Sequence, residues 1–243
     1  MIIGKIMMVQ NSSPVGSVDY LISKKILELK GKITDYTLNQ FIEEIGISKT
    51  SMMRYLKHLQ IHQFRRFKQI MYNEYMNTLV DLKKDKESPH NELTVEVKKV
   101  LNEVLKCHRI IILGDGNRFS LLLYQKALIY LGIPCEIPVY LGSEEECISE
   151  YECHTNDLII IVSLHETFTD FLTNRTLFYH DPQYLLVKTN AKIGFVGLCD
   201  TQDNPELCFS YAISKESFDI RVAQLQKLFL DVCCGVSKNS DAI

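Results

Sequence analysis

The chain has 243 residues, 46% of them hydrophobic and 23% charged, with a formal net charge of −3. Such a composition excludes a disordered or fibrous protein, and the length allows one large globular domain or two small ones. No apolar run reaches the roughly 18–20 residues needed to cross a bilayer. The segment Met1 to Met8 has no small-residue cleavage site before the polar "QNSSP". No signal peptide and no membrane partner are therefore expected, and the expected location is the cytoplasm.

The small net charge hides an asymmetry. Residues 1–90 carry 14 Lys and Arg against 9 Asp and Glu, a balance of +5, whereas residues 91–243 carry 13 against 21, a balance of −8. All eight cysteines (Cys107, Cys135, Cys147, Cys153, Cys199, Cys208, Cys233 and Cys234) fall in the second part. A basic front and an acidic back suggest two domains with different partners. No C-x-x-C occurs; Cys147, Cys153 and His154 come nearest to ligand spacing. Free buried thiols in a reducing compartment are the plainer reading, so neither a metal nor a cofactor is expected.

In chain order, residues 1–16 read as a loosely ordered tail. "SVDYLISKKILELKGK" places Val18, Leu21, Ile22, Ile26 and Leu29 on one helical face, ended by Gly31. "YTLNQFIEEIG" is a short helix closed by Gly46, "SKTSMMRYLKHL" a third with Ser48 as its N-cap, and "FRRFKQIMYNEYMNTLV" a longer fourth. The charged stretch Asp81 to Glu92 lacks apolar periodicity, contains Ser-Pro and reads as a linker. The front domain is thus expected over 1–80, the linker over 81–92 and the back domain over 93–243.

After the linker, an amphipathic helix precedes short apolar runs that alternate with helical ones. The runs are 109–113, 135–140, 157–163, 192–198 and 208–214. Apolar strands alternating with helices imply a parallel sheet covered on both faces. The expected fold class is an all-α front domain joined to an α/β three-layer sandwich with a five-stranded parallel sheet. Residues 236–243 read as a second loose tail.

The sharpest functional signal lies in 37–59. Two short helices meet at "EIGISKT", and a helix pair joined by a short glycine-containing turn is a geometry that reads DNA. Met52, Tyr55, Leu56 and Leu59 form an apolar stripe on the second helix, with Lys49, Thr50, Ser51, Arg54 and Lys57 toward the other face. Arg54 can grip a guanine edge or a phosphate, Thr50 and Ser51 can reach base edges, and Lys49 and Lys57 suit phosphates. Arg65, Arg66 and Lys68 form a second basic cluster, anchored by Phe64 and Phe67. The expected partner is double-stranded DNA; a plain helical hairpin with a solvated charged face is the bland alternative.

Ile45, Gly46, Ile47, Ser48, Ser51, Met52, Arg54, Tyr55, Leu59, Phe64, Phe67 and Lys68 fit a pattern that resembles the N-terminal domain of the RpiR (MurR) family of bacterial transcriptional regulators. That family joins such a domain through a linker to a C-terminal SIS (sugar isomerase) domain. The resemblance implies a regulator of sugar-metabolism genes, a homodimer or higher homo-oligomer, an operator as DNA partner and a phosphosugar effector.

The back domain carries two candidate ligand loops. "IIILGDGNRFS" runs a strand through Gly114 and Gly116 into a helix, where backbone N–H groups and the helix N-terminus can hold an anion. A third glycine near Phe119, as a dinucleotide fingerprint requires, is absent. The loop resembles the SIS motif G-x-G-x-S, with Asn117 inside it and Arg118 at the serine position; Arg118 can bind a phosphate or face solvent. The second loop, Ser163 to Thr167, resembles S-x-S-G-E-T, with Leu164 and His165 replacing a serine and the glycine. Ser163, His165, Glu166 and Thr167 are the candidate contacts there, with Thr167 expected near a helix N-terminus. Glu144, Glu145 and Glu146 would repel a phosphate if they faced the cleft. The leading expectation is a metabolite-sensing regulator and not an enzyme; a SIS-like domain kept only for dimerisation, or a phosphosugar isomerase, are the alternatives.

Overall fold

The computed structural model describes residues 2–86, 93–114, 118–138, 153–167, 190–198 and 207–239. The chain divides into two compact units, Met1–Ser88 and Pro89–Ile243.

The first unit is helical: α1 (Ile2–Ser12), α2 (Val18–Leu29), a 3-10 turn (Lys30–Asp35), α3 (Leu38–Ile45), α4 (Lys49–His58) and α5 (Phe64–Lys86). Three expectations are corrected here. Residues 2–12 are a packed helix, not a loose tail: Ile2, Ile3, Ile6 and Met7 are buried, and the Ile2 amide donates to Glu74 of α5 at 2.7 Å. Gly31 does not end α2, which stops at Leu29; Gly31 sits in the 3-10 turn where a Cβ would come 2.7 Å from the Tyr75 ring of α5. The α5 backbone continues as helix to Lys86, so the first six residues of the segment expected to be linker are helical.

The core of this unit is the seam the sequence marks. Phe41, Met52, Tyr55, Leu56 and Phe67 are at most 1% exposed. Phe41, Phe64 and Phe67 form a run of tilted rings with centroids 5.6 and 6.1 Å apart, and the Tyr55 hydroxyl pairs with that of Ser23 at 2.8 Å, so its one polar atom is satisfied in the core.

The second unit contains α6 (Val95–Lys106), β1 (Arg109–Gly114), α7 (Arg118–Tyr130), β2 (Cys135–Glu136), β3 (Asp157–Thr167), β4 (Lys192–Leu198), β5 (Phe209–Ala212) and α8 (Phe218–Asn239). All strand pairings are parallel, in the order β2-β1-β3-β4-β5, as the alternation of apolar runs and helices implies. Residues on both sheet faces are buried: Ile111, Ile159, Ile161, Ile193 and Phe195 on one, Ile110, Ile112, Leu158, Ile160 and Val196 on the other. This is why these strands read as continuous apolar runs. β2 and β5 are shorter than expected, and α8 runs on to Asn239, into the segment expected to be loose. The helices expected over 143–152 and from 167 onward lie outside the described residues, apart from Thr167 itself.

A charged staple closes the N-terminal edge of the sheet. Arg109, opposite Asp157 in the ladder, donates to its carboxylate at 2.5 Å and lies 3.7 Å from Glu136 of β2. Burial alone would raise the Asp157 pKa, but the Arg109 hydrogen bond, the His154 amide and the Arg109 charge outweigh it and hold the carboxyl below its ordinary range. A depressed carboxyl pKa gives stability that is present above the unfolded value, near ~3.9, and lost as pH falls through the folded one. Asp157→Asn should therefore cost about 1.5–3 kcal/mol in urea denaturation at pH 7, because it removes the charged hydrogen bond and leaves Arg109 with Glu136 as its remaining acid. The gap between the two chains should narrow below about pH 4; a gap that stays constant with pH would assign the loss to packing. A second test concerns α7 and α8, which meet through Tyr124 stacked on Phe229 with centroids 3.9 Å apart. The Tyr124 hydroxyl is buried with no partner among the described residues. Tyr124→Phe removes that unmet donor and should raise the thermal midpoint, by up to about 1–3 kcal/mol of stability.

Candidate functional site

In the first unit the short hairpin of helices is fixed locally at each turn. Thr37 and Gln40 form a reciprocal capping box at the start of α3. α3 ends in Gly46 at φ 74°, where the Gly46 amide donates to Glu43 and the Ile47 amide to Ile42. Those two bonds require a left-handed residue, which glycine adopts without strain. Ser48 then caps α4 by accepting from the Ser51 amide at 3.0 Å. α4 closes the same way as α3, with Gln60 at φ 63° and bonds from Gln60 to Lys57 and from Ile61 to Leu56.

The residues expected to touch DNA divide into two groups. Lys49, Thr50, Arg54 and Lys57 on α4 and Arg65 and Arg66 at the start of α5 are all exposed. Among the described residues, the five cations in this set form no ion pair. Between Ile45 and Asn73 the sequence has six basic residues and no Asp or Glu, so nothing local offsets them. Ser51 is half-buried, and its hydroxyl is shared with Ser48 Oγ at 2.9 Å. Lys68 leaves the expected phosphate-contact set. Its ammonium donates to the carbonyls of Thr34 at 2.8 Å and Tyr36 at 2.6 Å, and it lies over the Phe64 ring. A lysine that satisfies carbonyls at the end of the 3-10 turn is an internal tie, which explains its place beside Phe64 and Phe67.

In the second unit the chain leaves β1 toward β2 on one side and later returns to β3 on the other. The strand order therefore reverses between β1 and β3, and open parallel sheets hold ligands at the C-terminal ends of the strands at such a point. Gly114 ends β1 there with φ 137°, and a Cβ on it would lie 1.8 Å from the Val162 carbonyl oxygen of β3. On the other side of β3, a Cβ on Gly197 would lie 2.1 Å from the Ser163 carbonyl oxygen. The end of β3 is thus held between two close backbone approaches.

The expected turn at Ser163 to Thr167 is instead strand. β3 pairs Ser163 with Gly197 and Thr167 with Leu198, so Leu164, His165 and Glu166 form an expanded bulge facing no extra residue on β4. Where the resembling motif has glycine this chain has His165, and a non-glycine residue favours extended backbone. Thr167 lies in that strand and not at a helix start. Ser163 and Leu164 are fully buried. Gly116 and Asn117 lie outside the described residues, as do Glu144, Glu145 and Glu146; Arg118 opens α7, and His165 and Glu166 are placed by their backbone in β3.

One residue at this edge escaped the sequence reading. Arg221, which closes the first turn of α8, donates through Nη1 to the Leu164 carbonyl in the bulge at 2.7 Å. It also donates through Nε to Glu216 at 2.8 Å. The available signal was a cation at a helix N-terminus, where the dipole disfavours it.

Gly114→Ala should cost at least about 2 kcal/mol, since it adds both positive-φ strain and contact with backbone that cannot rotate away. Urea denaturation of the full chain tests this; a loss below 1 kcal/mol would show that β1 and β3 can separate without consequence.

No family model matches the chain, and no curated protein matches it. Among solved structures, the NanR protein of Vibrio vulnificus complexed with ManNAc-6P is 11% identical, with 90% of this chain and 84% of that one covered and a TM-score of 0.38. The sugar isomerase domain of the RpiR transcription factor from Sphaerobacter thermophilus is 12% identical, with 71% and 96% covered and a TM-score of 0.39. A hypothetical protein is also 12% identical, with 68% and 84% covered and a TM-score of 0.37. Likenesses of this size do not carry a function from one protein to another.

Proposed function

We propose that the chain is a DNA-binding transcriptional regulator, in which the helical unit reads double-stranded DNA and the α/β unit senses an anionic metabolite such as a phosphosugar. The observation that supports it most is the uncompensated basic surface of α4 and the start of α5, on a hairpin whose second helix is capped at both ends. Arg54 is assigned to a base edge; Lys49, Lys57, Arg65 and Arg66 are assigned to phosphates, and Thr50 to either. On this reading the helical unit forms the DNA-binding domain and the α/β unit the sensor and dimerisation domain, and the protein acts in the cytoplasm as a homodimer on paired half-sites. Its role is regulatory and not catalytic.

A second reading keeps the DNA-binding front but makes the α/β unit an assembly module without a ligand. It is favoured by the strand conformation of 163–167, where a phosphate-cradling turn would be expected.

The DNA reading is tested by selecting a duplex from a random pool with the full chain and titrating it by fluorescence anisotropy. Arg54→Ala should weaken the selected duplex by about 1–3 kcal/mol and relax its sequence preference. Arg65→Ala with Arg66→Ala should weaken all duplexes alike and reduce the salt dependence of log K by nearly two units, at about 0.9 per phosphate contact. Failure to enrich any duplex, or an unchanged salt slope, would remove DNA from this surface.

A further inference from the structure

The β5–α8 corner has a charge arrangement that the loops expected to bind a ligand do not account for. Arg221 sits where α8 begins, its amide closing the first turn on the Ser217 carbonyl at 3.1 Å. A cation there opposes the helix dipole, and its guanidinium must find compensation elsewhere. Its partners among the described residues are three carbonyl oxygens: Leu164 at 2.7 Å, Glu216 at 2.8 Å and Lys215 at 3.4 Å. The nearest acids in the chain, Glu216 and Asp219, are exposed, and neither side chain pairs with it. Guanidinium has five N–H groups, so two have no partner among the described residues, one on each terminal nitrogen, which is the number a two-pronged oxyanion contact uses.

A second observation points the same way. Ser214 lies in the same loop, with its amide donating to Gln224 of α8 at 2.9 Å. Its hydroxyl oxygen is buried and has no partner among the described residues. The unmet Ser214 hydroxyl is one residue from Lys215, whose carbonyl Arg221 holds, and among the described residues Arg221 has no carboxylate partner, so the two donors on this connection suit an added acceptor. Ile213 is tied to the Gly197 carbonyl at 2.8 Å, so this loop is fixed to β4 and cannot simply turn away.

We propose that Arg221, assisted by the Ser214 hydroxyl, is the anchor for the anionic group of the ligand, and that binding draws Arg221 off the Leu164 carbonyl. This rests on the reading that the α/β unit binds an anionic metabolite. A charged acceptor holds guanidinium more strongly than a carbonyl does, so occupancy exchanges one bond for another. The exchange frees the β3 bulge from the start of α8, and α8 is the helix that packs on α6, α7 and β3. Arg221 is thereby both the ligand's cation and the link from the cleft to that helix.

The test uses the full chain with inorganic phosphate as probe and sodium chloride at matched ionic strength as control. At ten times its dissociation constant, phosphate should raise the wild-type thermal midpoint by about 3–6 °C. Arg221→Gln should abolish that rise, and Arg221→Lys should keep part of it. Hydrogen exchange of the wild type covers the case in which Arg221→Gln does not fold: phosphate, and not chloride, should change exchange at 164–167 and 213–221 together. A phosphate-dependent rise that survives in Arg221→Gln would make Arg221 a structural tie only. A wild type with no phosphate response in either measurement would also overturn the proposal, while the DNA titrations stand or fall separately.

Discussion

The second unit depends on how closely β1 and β3 can approach at their C-terminal ends. Gly114 allows its backbone to lie against the Val162 carbonyl where any side chain would collide with it. At the opposite end, Arg109 and Asp157 fix which residue faces which. Between these points, two apolar strands need only be buried on both faces, and their register follows. The reversal of strand order falls at this pair, so the constraint that builds the sheet also builds the crevice.

Much of this was legible in the residues. The alternation of apolar runs and helical segments yields a parallel sheet, because only a strand covered on both faces dispenses with polar alternation. The stripe Met52, Tyr55, Leu56 and Leu59 is buried as its spacing requires, and Gly46 and Ser48 stand where one helix must end and the next begin. What was hidden depends on distant partners. Helix α1 looks loose alone, since its order comes from packing on α2 and α5. Lys68 looks like a phosphate contact until Thr34 and Tyr36, more than thirty residues away in sequence, present their carbonyls. The bulge at 164–166 could not be read from local propensity, because its boundary is set by pairing with Gly197 and Leu198.

The two units use charge in opposite ways. Lys49, Arg54, Lys57, Arg65 and Arg66 are exposed and form no ion pair among the described residues, an arrangement suited to a polyanion. In the α/β unit, cations are spent on internal carbonyls and carboxylates: Arg109 on two acids, Lys192 on Glu103 at 2.6 Å, Arg221 on three carbonyls. Of these three, Arg221 has no acidic partner among the described residues, which sets it apart from the other two.

The closures at both ends of α4 have a thermodynamic consequence. Ser48 at one end, and the paired bonds around Gln60 at the other, leave no frayed turn to be ordered when a duplex arrives. The helix enters a groove already formed, so the entropy of folding is spent before association and not during it. Calorimetry of the complex would then report a heat-capacity change set by the surface dehydrated at the contact, with no added contribution from coupled folding of this helix.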